Sequence, residues 1–155
     1  MDYYLALKTV HIISATILFG TGLGTAFHMW MSHRSGRLPA ITVAARNTVL
    51  ADFLFTTPAV IVQPVTGVLL AIHIGMPLSE DWLLLSIGLY LLTGACWLPV
   101  VWLQVQMHRQ AEAALAAGTA LPKRYYRYAR YWFWLGWPAF GAVLAIFYLM
   151  VFKGF

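Results

Sequence analysis

Apolar residues run almost unbroken through four stretches of this chain: Tyr4–Ser32, Val43–Ile74, Asp81–Leu115 and Tyr125–Phe152. Each exceeds the roughly 20 residues that an α-helix needs to cross a bilayer core. Within that core a span must satisfy its own backbone, so an isolated apolar run of this length can only be helical. The pattern predicts an all-α fold, a four-transmembrane-helix bundle forming a single domain over residues 1–155.

Polar and conformationally special residues punctuate the runs. Helix 1 should end before Ser35-Gly36, with Pro39 beyond it. The second run, at about 32 residues and 1.5 Å each, is roughly 48 Å long and overshoots the hydrocarbon core. Its first turns, around Arg46-Asn47, should stand in the headgroup zone. Pro58 and Pro64 should bend it. Gly75-Met76-Pro77 should end it, and Ser79-Glu80-Asp81 should cap helix 3. Helix 3 continues past the membrane through Gln106–Ala117 until Gly118 and Pro122 stop it.

Polar and small residues inside the runs repeat at helical spacing, so each helix carries one stripe suited to face its neighbours. The stripes are His11, Leu18, Gly22, Thr25 and Met29 on helix 1, and Asp52, Thr56, Gln63, Thr66 and His73 on helix 2. Helix 3 offers Ser86, Tyr90, Thr93, Trp97, Gln104 and His108. Helix 4 offers Arg130, Trp134, Trp137, Gly141 and Tyr148. Interhelical packing accounts for part of this polarity. An imidazole deep in a span calls for more, because an ionisable ring there is costly unless something inside the bundle rewards it.

His11 is that imidazole. It and His28 are separated by about 25 Å along one helix, so one iron cannot take both. His11 and His73 lie toward the same membrane face on adjacent helices, which allows a haem b held between them, with neutral imidazole as axial ligand. Tyr90, Trp97 and Trp137 would wall the pocket, and Gly22 would let a flat ring approach. His28 is the alternative ligand for a different site, and His108 lies near the same face as His28. The Gly20–Gly24 spacing also suits close helix approach. Asp52 is the one carboxylate well inside a span. It should pair with Arg130 or Arg46, or else transfer protons. His28-Met29-Trp30-Met31-Ser32-His33 and His73-x-x-Met76 offer imidazole and thioether donors that suit copper.

Composition fixes the solvent. The chain is 61% hydrophobic and 10% charged, more apolar surface than a water-soluble domain this small can hide. The net charge of +5 does not mark a nucleic-acid binder, because the cations are sorted. Arg34, Arg37 and Arg46 flank the first loop; Arg109, Lys123, Arg124, Arg127 and Arg130 flank the third. Lys8 and Lys153 lie toward the other side, where the second loop carries Glu80 and Asp81. By the positive-inside rule both termini are non-cytoplasmic, in a bacterial cytoplasmic (inner) membrane. Met-Asp-Tyr-Tyr lacks the basic start of a signal peptide, so helix 1 should be retained. Cys96 is the sole cysteine and reads as a packing residue.

The segment Leu7-Lys8-Thr9-Val10-His11-Ile12-Ile13, followed by Gly20–Gly24 and His28, resembles the start of the HemJ-type protoporphyrinogen IX oxidases. Pro58, Gly67, Trp82, Pro122, Tyr126-Arg127, Pro138 and the ending Val151-Phe152-Lys153-Gly154-Phe155 extend the likeness along the chain. The sequence is similar, more closely, to a related bacterial family of predicted integral membrane proteins of unknown function. The HemJ resemblance implies four helices, bound haem b with His11 and His28 as matching histidines, self-association, and porphyrinogen oxidation feeding a respiratory chain. Two positions depart from that family. Ser86 stands where it carries a lysine, and Ala129-Arg130-Tyr131-Trp132 where it carries an Asn-Glu pair. Haem binding tolerates these losses better than porphyrinogen oxidation does.

The sequence therefore predicts a haem b-binding redox protein that meets a quinone or porphyrin in the bilayer, as a homo-oligomer or a respiratory-complex partner. The competing expectations are a non-redox accessory or assembly subunit and a copper-binding protein.

Overall fold

The computed structural model describes residues 3–152. Lys153 and the rest of the Lys153-Gly154-Phe155 ending lie outside the described residues, as do Met1 and Asp2. Four helices fill the described chain: α1 (Tyr3–Ser35), α2 (Leu38–His73), α3 (Asp81–Ala117) and α4 (Lys123–Phe152). All four are long and apolar enough to span a membrane.

Helix ends follow local chemistry. α2 begins earlier than its apolar run, at Leu38, with Pro39 in the first turn. Proline is pre-organised for that position, where its missing N–H has no helical partner anyway. α3 starts at Asp81 without a side-chain cap; the Leu83 and Leu84 amides bond the Glu80 carbonyl instead of Ser79 capping it. α3 ends at Gly118, whose φ of 63° lets the Thr119 amide return to the Ala114 carbonyl.

The prolines of α2 act differently from each other. Just before Pro58, residues Asp52–Thr56 widen into a π turn, and the Thr57 hydroxyl donates to the Asp52 carbonyl at 2.9 Å. Such a turn absorbs the hydrogen bond that proline cannot make. Pro64 removes the N–H that would bond the Val60 carbonyl, and the Tyr90 hydroxyl of α3 donates to that carbonyl.

The helices pack antiparallel in sequence order. α1 and α2 form a hairpin pinned by Tyr4 against His73, His11 against Gln63 and Thr66, and the Ser14 hydroxyl on the Ala59 carbonyl at 3.1 Å. Phe19 stacks on Phe140 and touches Phe147, joining α1 to α4. The tightest core lies toward the arginine-rich end, where Met29, Ile41, Ala44, Met107, Ala111 and Tyr125 come together from all four helices. There the His33 and Tyr125 rings lie 5.2 Å apart.

The stripe expected on α4 does not face inward. Arg130, Trp134, Trp137, Gly141 and Tyr148 are exposed, and Tyr125, Tyr128, Trp132, Ala142, Ile146 and Leu149 make the packed face. Tryptophan and tyrosine carry polar tips that favour the membrane boundary, so an aromatic row belongs there as readily as in a core.

Candidate functional site

His11 sits between α1 and α2 with both ring nitrogens engaged. Its Nδ1 lies 2.8 Å from Thr66 Oγ1, and the Gln63 amide Nε2 lies 3.1 Å from its Nε2. The Thr66 hydroxyl already donates to the Val62 carbonyl at 2.7 Å. It must therefore accept from His11, which places the imidazole proton on Nδ1 and the lone pair on Nε2. Gln63 donates to that lone pair. The remaining Gln63 oxygen, Oε1, is buried without a hydrogen-bond partner among the described residues. His11, Gln63 and Thr66 are each at most 9% exposed.

Gly67 makes room for the ring. A Cβ there would stand 3.2 Å from His11 Cε1. The cluster is thus a fitted arrangement of imidazole, amide and hydroxyl in an otherwise apolar wall.

The site meets one requirement of a haem. An axial histidine presents a neutral lone pair while its other nitrogen donates to a fixed acceptor, the geometry that Thr66 imposes. Gln63 is the group that would give way. The second expected ligand is elsewhere. His73 lies seven residues beyond Thr66, about 10 Å along the helix. Its exposed ring stacks on Tyr4 at 5.7 Å and meets Tyr3 at 5.7 Å in an open crevice of about 460 Å³ that Ile74 completes. The helices do not bring His11 and His73 to one iron.

Other expected positions divide between inside and outside. Tyr90 and Trp97 are half-buried and face inward, Trp97 with a buried indole N–H that has no partner among the described residues. Trp137 is 60% exposed and cannot wall an interior pocket. Gly20, Gly22 and Gly24 have nothing within 4 Å of an added Cβ, so no other helix of the described residues packs closely on them there. His28 is exposed on α1. Met29 is buried, Met31 exposed and His33 half-buried, so the copper-type residues spread around the helix. Among the described residues, no three His, Cys, Asp or Glu side chains gather where they could hold a metal ion.

Asp52 forms no salt bridge with an arginine among the described residues. Arg46 and Arg130 are exposed, and the one salt bridge among the described residues joins His108 to Glu112 at 3.7 Å. Asp52 Oδ1 accepts instead from the Thr56 hydroxyl at 2.8 Å, while Oδ2 has no hydrogen-bond partner among the described residues.

The roles of Gln63 and Thr66 as His11 partners are legible only from the hairpin. Counting outward from the turn at Gly36 by equal steps sets His11 within a turn of Gln63. The inward stripe of α2 supplies the rest.

Four apolar spans with a polar cluster sunk between two of them define an all-helical integral membrane protein. The chain belongs to the DUF2269 family of predicted integral membrane proteins, whose family model matches residues 5–154. No curated protein and no solved structure matches it.

Proposed function

We propose that this is a multi-pass redox protein of a bacterial inner membrane, holding haem b on His11 and taking electrons from a quinol or a porphyrinogen in the bilayer. The observation that carries the reading is the setting of His11: buried, with Nδ1 against the Thr66 hydroxyl, which already donates to the Val62 carbonyl, and with Nε2 facing a displaceable amide. Haem supplies one-electron transfer when bound. The chain's own part is to orient the imidazole through Thr66, to leave space at Gly67 and to exclude water with the apolar faces of α1 and α2. The sorted arginines support an orientation with the arginine-rich end in the cytoplasm and both termini outside. Self-association or docking on a respiratory complex would complete the electron path.

A second reading is favoured by one fact. Both His11 nitrogens already have protein partners, as they would in an accessory subunit whose polar cluster only clamps α1 to α2. Haem content separates the two. Protein purified from haem-supplied cells should bind haem b as wild type and as His73→Ala, and lose it as His11→Ala. Equal haem in His11→Ala, or none in any variant, sinks the redox reading.

A further inference from the structure

A line of buried polar atoms runs through the arginine-rich half of the bundle, apart from His11. On α2, Thr48, Asp52 and Thr56 follow at intervals of about one turn, on one face. α3 answers with Trp97, Gln104 and His108. Thr42 Oγ1, 3.4 Å from the Ala111 carbonyl, sets the register between the two helices. That register brings Gln104 level with Thr48 and Asp52, and the Gln104 side chain adjoins the Asp52 carboxyl.

Five atoms of this line are buried and lack hydrogen-bond partners among the described residues: Thr48 Oγ1, Asp52 Oδ2, Trp97 Nε1, Gln104 Oε1 and His108 Nδ1. Thr48, Asp52 and Gln104 are 1%, 4% and 5% exposed. Buried polar atoms in folded proteins are almost always satisfied, and where no protein group does it, ordered water does. Asp52 has no ion-pair partner among the described residues, and a bare carboxylate is too costly to keep in a bilayer. The π turn that begins at Asp52 sets this residue in a break of the regular ladder, a feature frequent at functional sites.

We propose that Asp52 is a proton-binding site served by a file of ordered waters that runs from the arginine-rich end past His108 and Gln104. A proton arriving on water forms an O–H bond at Oδ2 as the water's O–H bond breaks. A neutral carboxyl remains, with the Thr56 hydroxyl still donating to Oδ1. The file needs no haem. Beyond Thr56 the same face of α2 leads through Ala59 to Gln63, about 10 Å further along the helix, whose Oε1 has no partner among the described residues.

Infrared spectroscopy of the full chain in lipid bilayers tests this, in H₂O and after transfer to D₂O. Wild type should show a protonated-carboxyl C=O stretch that Asp52→Asn removes. Thr56→Val, which keeps the carboxyl and deletes its partner, should shift the band. In D₂O the band should exchange, and Gln104→Leu and His108→Phe should each slow exchange by about tenfold. Four results would overturn the proposal: no such band at neutral pH, a band that never exchanges, exchange indifferent to both variants, or a carboxylate signal that responds to sodium or potassium and so marks a cation site.

Discussion

His11 is held from opposite sides by hydroxyl and amide, and its neighbours are more informative targets than the ring. Thr66→Val leaves the Nδ1–H without its acceptor inside an apolar wall, a loss of about 1–3 kcal/mol. Equilibrium unfolding in mixed micelles should show that loss, and Thr66→Ser should recover most of it. A wild-type-like Thr66→Val would mean that the contact carries no weight. Gly67→Ala presses a methyl toward a ring that two hydrogen bonds prevent from yielding, so it should cost about 1–3 kcal/mol. Sequence alone showed that His11, Gln63 and Thr66 turn inward. It did not show that they meet, because that depends on where the hairpin closes. His73 shares their stripe and still lies apart, since a stripe fixes direction around a helix and not depth.

Proline makes the elements of this bundle interdependent. Pro64 lacks the N–H that would bond the Val60 carbonyl from the next turn, and the Tyr90 hydroxyl of α3 donates to that carbonyl. Tyr90→Phe should therefore cost about 1–3 kcal/mol by stranding a half-buried carbonyl. Pro64→Ala restores the missing donor. In a double-mutant cycle the Tyr90→Phe penalty should shrink markedly on the Pro64→Ala background. Strict additivity would show that Tyr90 and Pro64 do not share this carbonyl. The four spans were readable from apolar run length, and α2, His73 apart, and α3 presented the polar faces that periodicity assigned them. α2 began earlier because Pro39 initiates a helix as readily as it stops one. α4 presented the opposite face because aromatic side chains satisfy both interior and interface, so periodicity cannot tell one from the other.

Across the whole molecule, packing is uneven. All four helices converge near the arginine-rich end, whereas Tyr3, Tyr4 and His73 border an open crevice at the other. Charge follows the same axis. A reporter fused after Phe155 that is active only outside the cytoplasm should be active, and one placed in the loop near Gly118 should be silent. The reverse pattern would invert the proposed orientation and with it the side from which protons reach Asp52. The haem proposed on His11 can be read in the visible absorption spectrum of the detergent-purified protein, oxidised and dithionite-reduced, with pyridine haemochrome quantification. Haem on His11 should give a Soret band, reduced α and β bands, and about one haem b per chain, the signature of imidazole-ligated b-type haem. A colourless protein from haem-supplied cells would contradict it and leave the His11 cluster as a clamp between two helices.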